Sequence, residues 1–193
     1  MLVVVVLSLL AACHAQDPSD KSLFHQGTGQ LLWRDCGDAD SWIKLTKFDM
    51  SPTPLHLPGN ALLTVNGAVS HVISENVEMD VTILKHLLSR WTKMPCTEDL
   101  GSCHYDDPCH FMQVFFPNGT CPKEFTDNGM PCTCPFKTSN SITLNQDRLS
   151  LPDVKPSYTW LTRGDYYIKI VMTEKGNQKV VSCLEFYVSL SRD

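Results

Sequence analysis

The chain has 193 residues, which fits one domain or at most two small ones, and its formal net charge is −5. An acidic chain without a basic run does not suit nucleic-acid binding, which requires lysine and arginine side chains to neutralise phosphates. The charge therefore predicts no nucleic-acid partner, and solubility is enough to explain it.

Residues 1–15 are apolar and end in small residues, with the sequence MLVVVVLSLLAACHA. This pattern predicts a secretory signal peptide with its cleavage site at Cys13-His14-Ala15, because the apolar run is too short to span a bilayer. Leu10-Ala11-Ala12-Cys13 also matches a bacterial lipoprotein cleavage box, which is the alternative. No second apolar stretch is long enough for a membrane span, so we expect a soluble mature protein.

The mature chain is predicted to contain one domain. Residues 16–32 are polar and unpatterned, and we predict a flexible mature N-terminus there. Residues 33–193 are predicted to form the single domain, which begins at Trp33.

The first predicted strand, residues 42–50, carries two pairs of apolar side chains out of phase. Ile43 and Leu45 have one parity, and Phe48 and Met50 have the other. A β-bulge between the pairs would bring all four side chains to one face.

Residues 61–69 and 77–84 are the next predicted strands. In the second, apolar side chains occupy every other position, as expected of a half-buried antiparallel strand: Val77, Met79, Val81 and Ile83. Apolar and basic residues then mix over 84–91, and this mixture predicts a loop.

The last third of the chain returns to strand patterns. Ile142 and Leu144 mark a weak candidate strand. A strand over 166–172 and its return over 182–190 flank Lys175-Gly176-Asn177, which predicts a hairpin turn. Short strands at short intervals, with one brief helix, predict an all-β sandwich, barrel or cup.

The brief helix is predicted inside residues 95–137, a block that holds six of the nine cysteines. Asp106-Asp107-Pro108 predicts its start, because an acidic N-cap precedes a proline at the first helical position. The apolar run that follows is a candidate contact surface and contains Phe111, Met112, Val114, Phe115 and Phe116. Asn118-Gly119-Thr120 is the one N-glycosylation sequon of the mature chain, so Asn118 is a predicted glycosylation site.

Removal of the signal peptide leaves eight cysteines. An even number behind a signal peptide predicts four disulfides in an oxidising compartment, although eight cysteines permit about 105 pairings. Zinc binding is the alternative, with His104 and His110 beside the cysteines. It is weakened because no C-x-x-C pair occurs, and Cys132-Thr133-Cys134 is only a partial match.

The motifs of common enzyme classes are missing from the sequence: G-x-S-x-G, H-E-x-x-H, a P-loop and G-x-G-x-x-G. Cysteines that form disulfides supply no thiol nucleophile. His104 and His110 lie near Asp106 and Asp107, so an acid–base pair is conceivable, but exposed polar residues in a disulfide-linked loop are the favoured interpretation. We therefore predict a protein that is not an enzyme and needs no cofactor.

Several segments resemble a known family, the ganglioside activator proteins, which are lysosomal lipid-binding helpers of β-hexosaminidase A. The matching segments are Trp33-Arg34-Asp35-Cys36, Lys93-Met94-Pro95-Cys96, Leu100-Gly101-Ser102-Cys103, Met130-Pro131-Cys132-Thr133-Cys134-Pro135-Phe136-Lys137 and Trp160-Leu161-Thr162-Arg163-Gly164-Asp165-Tyr166. The resemblance covers roughly residues 33–190 and includes all eight mature cysteines in order.

The resemblance implies an antiparallel β-cup around a large apolar cavity that holds the lipid tails. It also implies four disulfides: Cys36–Cys183, Cys96–Cys103, Cys109–Cys134 and Cys121–Cys132. The chain departs from the family at Asn60, where the family's glycosylation site is lost, and at residues 155–159, which form a slightly longer segment. These departures suit a divergent member or paralogue.

A lipid carrier must contact the membrane as well as the lipid, and tryptophan and phenylalanine suit that boundary. From the family's apolar rim loops we predict lipid or membrane contact by three sets: Leu87, Leu88 and Trp91; residues 111–116; and Trp160 with Leu161. Arg90, Lys93 and Arg163 flank them and suit anionic headgroups. The alternative is that Trp91, Phe111 and Phe115 fill a core.

These features predict a lipid-transfer protein that extracts a glycosphingolipid such as a ganglioside, or a phospholipid, from a membrane surface. Its predicted role is to present the lipid to a lysosomal glycosidase, with β-hexosaminidase A as the candidate partner. The expected location is the secretory pathway, ending in the lysosome or outside the cell. Two alternatives stay open: a secreted lipid carrier or sensor with no enzyme partner, and a disulfide-rich inhibitor or toxin-like ligand.

Overall fold

The computed structural model describes residues 21, 24–27, 31–74, 76–109, 121, 123–128, 132, 134–151, 153 and 156–192. Its strands are β1 His25–Gln26, β2 Leu32–Asp35, β3 Ile43–Ser51, β4 Leu55–His56, β5 Gly59–Val69, β6 Val77–Leu87, β7 Arg90–Lys93, β8 His104–Tyr105, β9 Ser139–Leu151, β10 Gly164–Glu174 and β11 Val180–Ser191. One short helix, α1, spans Lys123–Asp127, and a 3-10 helix spans Pro156–Leu161. The predicted all-β class is confirmed.

The strands form two sheets. The larger has the order β1-β2-β11-β10-β6-β7, with β4 beside β11 and β8 beside β6, and the smaller has the order β3-β5-β9. Strand pairs are antiparallel except for β4 and β11. Apolar side chains from both sheets share one buried cluster, which includes Trp33, Phe48, Val65, Leu144 and Phe186. The two sheets therefore turn apolar inner faces toward each other, as expected of a sandwich or cup.

The pairing of β3 with β5 confirms the predicted bulge. The register shifts between Leu45 and Lys47, which lies between the two out-of-phase apolar pairs. Phe48 is buried and Ile43 packs against the same core cluster. One extra residue therefore reconciles a sequence pattern that a regular strand cannot satisfy.

Strand β6 extends farther than predicted. Its inward-facing parity continues to the buried Lys85, the strand itself ends at Leu87, and β7 begins at Arg90. The loop predicted over 84–91 is therefore wrong: it is a β-hairpin whose turn consists of Leu88 and Ser89. The mixture of apolar and basic residues suggested a loop because Lys85 occupies an inward position of the strand, where an apolar side chain is usual.

The ordered fold also begins earlier than predicted. His25 and Gln26 form β1 and pair with Trp33 and Leu32, and Leu31 is only 2% exposed in the core cluster. The end of the stretch predicted to be a flexible N-terminus is therefore part of the larger sheet. Backbone pairing at a sheet edge gives order that side-chain patterning does not reveal.

The central cysteine block contains a helix start where it was predicted. Asp107 accepts a hydrogen bond from the backbone N–H of Cys109 at 2.8 Å, as an N-cap residue does. Residues 110–120, which include most of the predicted helix, lie outside the described residues. Helix α1 was not predicted, and it places Phe125 in the main core.

Four disulfides join eight of the nine cysteines: Cys36–Cys183, Cys96–Cys103, Cys109–Cys134 and Cys121–Cys132. They match the pairing that the family resemblance implies. The first joins residues 147 positions apart and fixes the end of β2 to β11, whereas the other three lie within residues 96–134. None of these eight sulfurs is a free thiolate, so none serves as a zinc ligand or nucleophile.

Candidate lipid and membrane contact site

The β6–β7 hairpin presents two exposed leucines. Leu88 and Ser89 have φ angles of 47° and 65°, the left-handed conformation that a two-residue type I′ turn requires at both central positions. The side chain of Leu88 is 100% exposed and that of Leu87 is 40% exposed. The hairpin therefore projects apolar area that the described fold does not cover.

The 3-10 helix presents a third exposed apolar side chain, Trp160, which is 53% exposed. Its neighbour Tyr158 is buried and anchors the helix. The hydroxyl of Tyr166 donates a hydrogen bond to the carbonyl oxygen of Leu161 at 2.7 Å, and burial raises the pKa of Tyr166 to about 12. The half-buried Leu161 thus belongs to the anchor, while Trp160 faces outward.

Lys85 joins the hairpin to the 3-10 helix. Its ammonium donates a hydrogen bond to the carbonyl oxygen of Trp160 at 2.6 Å and lies 5.5 Å and 5.3 Å from the ring centroids of Trp160 and Tyr166. The side chain is only 7% exposed, and burial lowers the pKa of its amine. Among the described residues it has no carboxylate partner. We call Leu87, Leu88 and Trp160, the exposed residues of these two joined elements, the apolar rim.

Trp91 does not lie with the apolar rim. It is paired with His86 across the hairpin, and both rings lie on the face opposite to Lys85, away from the inner face of the sheet. Trp91 is half-buried, with its ring centroid 5.0 Å from His86 and 5.8 Å from Tyr187. The structure therefore separates Trp91 from Leu87, Leu88 and Trp160.

The second predicted contact set, Phe111, Met112, Val114, Phe115 and Phe116, lies outside the described residues, as do Asn118 and His110. Three basic side chains near the apolar rim are described and exposed: Arg90, Lys93 and Arg163. Within the described residues, no helix has both the length and the apolar character needed to cross a membrane.

His104 forms an acid–base arrangement on the surface, far from a catalytic geometry. Its Nδ1 lies 3.0 Å from Asp80, and its Nε2 lies 3.4 Å from Asp106. The hydrogen bond that the Asp80 carboxylate accepts from the His104 ring, with smaller effects of the Asp80 charge and of Asp106, raises the pKa of His104. The exposed imidazole therefore acts as a local ion-pair partner.

The sequence reasoning missed Lys85, although a signal was present. Lys85 continues the parity of Val81 and Ile83, so a longer β6 would have placed this lysine on the inner face. A buried lysine needs a partner for its ammonium. That requirement would have singled out Lys85 before its contact with the 3-10 helix was known.

The family model of the ML domain matches residues 30–190 of this two-sheet chain. The ganglioside GM2 activator of Macaca fascicularis is 30% identical over 190 residues, which cover 97% of this chain and 94% of that protein. The ganglioside GM2 activator of Mus musculus is 29% identical over 164 residues, which cover 84% and 82%. The chain therefore belongs to the ML-domain family, as a member like the ganglioside GM2 activators.

A crystal structure of a Niemann-Pick type C2 protein from the Japanese carpenter ant is also similar. It has a TM-score of 0.41 and 12% identity and covers 82% of this chain and 98% of its own. Family membership supports lipid binding and transfer as the general activity. It also confirms the prediction that the chain is not an enzyme, because the domain is a non-catalytic lipid-binding one.

Proposed function

We propose that the chain extracts a glycosphingolipid of the ganglioside type from a membrane and presents it to a lysosomal glycosidase. The observation that carries the proposal is the apolar rim, where Leu88 and Trp160 are exposed on two elements that Lys85 joins. Two relatives are named as ganglioside GM2 activators, which supports the choice of lipid.

The tails of the lipid require an apolar environment throughout the transfer. A two-tailed lipid has roughly 30 methylenes, and exposing them to water costs on the order of 20 kcal/mol at about 0.8 kcal/mol each. In our proposal the tails enter between the two sheets, whose inner faces are apolar. The whole length of the lipid tails is then never exposed to water at one time.

The apolar rim gives the protein a reversible hold on the membrane. Burial of one leucine or tryptophan side chain contributes about 1.5–3 kcal/mol, and each nearby cation adds about 1 kcal/mol at an anionic surface. Arg90 lies on the β6–β7 hairpin, and Arg163 follows the 3-10 helix by two residues. A few such contacts hold the protein at the surface without anchoring it there permanently.

The proposed location is an oxidising compartment of the secretory pathway, ending in the lysosome or outside the cell. All eight mature cysteines form disulfides, and such bonds persist mainly in those compartments. The proposed signal peptide and the glycan at Asn118 lie outside the described residues. Mass spectrometry of the secreted protein, with and without glycosidase treatment, tests both.

The decisive experiment separates lipid transfer from enzyme activation. Purified protein is mixed with vesicles that contain a labelled ganglioside, first with acceptor vesicles and then with purified β-hexosaminidase A. We expect faster transfer and faster release of the terminal sugar. Transfer without enzyme stimulation would favour the lipid carrier, and the absence of both transfer and co-purified lipid in native mass spectrometry would refute the proposal.

A further inference from the structure

An open groove of about 380 Å³ lies on the outer side of the larger sheet. Trp91, Tyr187, His86, Asp165 and Ser189 are among the residues that line it. Tyr166 and Val188, which belong to the core between the sheets, also line it, whereas the five residues named first are distinct from the apolar rim. The volume falls within the range of roughly 300–1,000 Å³ that is typical of small-molecule sites.

The groove lies beside a gap in the strand pairing of β11. Strand β2 pairs with β11 as far as Tyr187, where the partner is Leu32, and β4 begins to pair at Leu190. Among the described residues, Val188 and Ser189 have no strand partner on that side. The two short strands therefore leave an opening along β11, which the groove occupies.

Two aromatic rings form the apolar part of the groove. Trp91 and Tyr187 have ring centroids 5.8 Å apart and are tilted by 59°, so together they form an angled wall. Trp91 is half-buried, which leaves part of its ring available to a ligand. Tyr187 is buried, so Trp91 supplies the accessible apolar area, at a low cost in side-chain entropy.

Polar and charged side chains lie in the same groove. Asp165 uses Oδ1 to accept a hydrogen bond from Ser189 at 2.6 Å, but in the described part of the chain its Oδ2 has no partner. The exposed ring of His86 contacts Trp91 and makes no hydrogen bond to a described residue. The ammonium of Lys21 lies 4.7 Å from the Tyr187 ring centroid. Acceptors and donors thus surround the aromatic wall.

We propose that this groove binds a pyranose sugar. A pyranose has an apolar C–H face, which suits the Trp91 ring, and hydroxyls at its edge, which suit the free Asp165 oxygen and the His86 ring. A hydrogen bond from a sugar hydroxyl to a carboxylate is charge-assisted and roughly twice as strong as a neutral one. The proposal is independent of the proposed function, because it requires neither the apolar rim nor lipid transfer.

Other ligand classes fit the groove less well. A lipid tail would leave the Asp165 carboxylate desolvated and unpaired, which is costly. An anionic ligand would meet the charge of Asp165. A quaternary ammonium would compete with Lys21, whose ammonium already lies over the Tyr187 ring. A neutral sugar satisfies the donors, the acceptors and the aromatic wall together.

The test uses the full-length secreted protein labelled with 15N, in which each of the four tryptophans gives one indole N–H signal. Methyl glycosides of glucose, galactose, N-acetylglucosamine and N-acetylgalactosamine are titrated to about 100 mM, far above a dissociation constant of about 1 mM. We expect at least one sugar to shift the Trp91 signal saturably and to leave the Trp160 signal in place. Absence of a saturable Trp91 shift with all four sugars would overturn the proposal.

The variant Asp165→Asn keeps the shape of the side chain but removes its charge, and we expect about tenfold weaker sugar binding. Asp127→Asn removes an exposed carboxylate on α1 instead and should bind as the unmodified protein does. Unchanged signals of the buried Trp33 and Trp42 show that each variant is folded. Equal affinity of the Asp165 and Asp127 variants would count against the site.

Discussion

The ammonium of Lys85 donates a hydrogen bond to the carbonyl oxygen of Trp160 at 2.6 Å, across a sequence separation of 75 residues. One partner belongs to β6 and the other to the 3-10 helix. Because Leu87 follows two residues after Lys85, this single contact fixes the hairpin leucines relative to Trp160. We therefore treat the apolar rim as one preorganised surface rather than two independent loops.

Lys85→Met should loosen this connection while it keeps the side-chain length. Loss of a hydrogen bond from a charged group, worth about 1.5 kcal/mol or more, should speed hydrogen exchange at the Thr162 amide about tenfold. That amide bonds to the Thr159 carbonyl in the same helix. Hydrogen-exchange NMR measures the effect, and Lys93→Met, which removes an exposed lysine of the same hairpin, should leave the rate unchanged.

Leu88→Ser tests the membrane role of the apolar rim. The side chain is fully exposed, so its removal should change the free energy of unfolding by less than about 0.5 kcal/mol. Binding to acidic liposomes should weaken about tenfold, because about 1.5 kcal/mol or more of leucine burial is lost.

The matched control for Leu88 is Val72→Ser. Val72 is 49% exposed but precedes β6, whereas Leu88 follows it, so it lies toward the other end of that strand. Liposome co-sedimentation compares the two variants. Equal loss of binding in both would contradict the assignment of the apolar rim.

Removal of the Cys36–Cys183 disulfide by a double change to serine should destabilise the fold strongly. The bond joins residues 147 positions apart, and on the chain-entropy model a loop of that length corresponds to roughly 4–5 kcal/mol. Urea denaturation of the variant should show this loss as a lower midpoint. The double change of Cys96 and Cys103, which lie only 7 positions apart, should cost clearly less on the same model.

The pKa of His104 should lie above its ordinary value of about 6.5, because Asp80 and Asp106 stabilise the imidazolium. A raised folded-state pKa stabilises the fold fully below about pH 6.5, and this contribution is lost as the pH rises through the folded-state pKa. The ion pairs are exposed, so the contribution is below about 1 kcal/mol. NMR titration measures the pKa, and Asp80→Asn should lower it. An unchanged pKa in that variant would show that Asp80 does not stabilise the imidazolium.

Alternation along strands revealed much of the fold, but not the burial of charged residues. The bulge of β3 was predicted because four apolar side chains had to share a face, and the hairpin between β10 and β11 followed from its turn residues. Glu185 of β11, for example, is 1% exposed and lies between Arg34 and Lys169. Those partners come from other strands, and strand neighbours in space are not visible in local periodicity.

The contact site was predictable only in part for the same reason. Leu88 and Trp160 are exposed as expected of contact residues, but Trp91 lies on the opposite face of the hairpin because the strand continues through Lys85. A strand has two defined faces and a loop has none. Because the segment was predicted to be a loop, the sequence offered no basis for placing Trp91 on one face. The groove on the outer side of the larger sheet was not predicted, since it depends on where β2 ends and β4 begins.

The turn of the β6–β7 hairpin holds Leu88 in a backbone conformation that leucine rarely adopts. Asparagine or glycine adopts the left-handed conformation of Leu88 readily, whereas an ordinary L-residue is disfavoured there by about 1 kcal/mol. The described fold gains no packing from this side chain, since it is fully exposed. The stability of the described fold would therefore favour another residue here, and the proposed contact with a membrane gives this leucine a role. Leu88 is thus the position at which foldability and activity can be separated most cleanly by substitution, with Leu88→Asn expected to improve the first while it impairs the second.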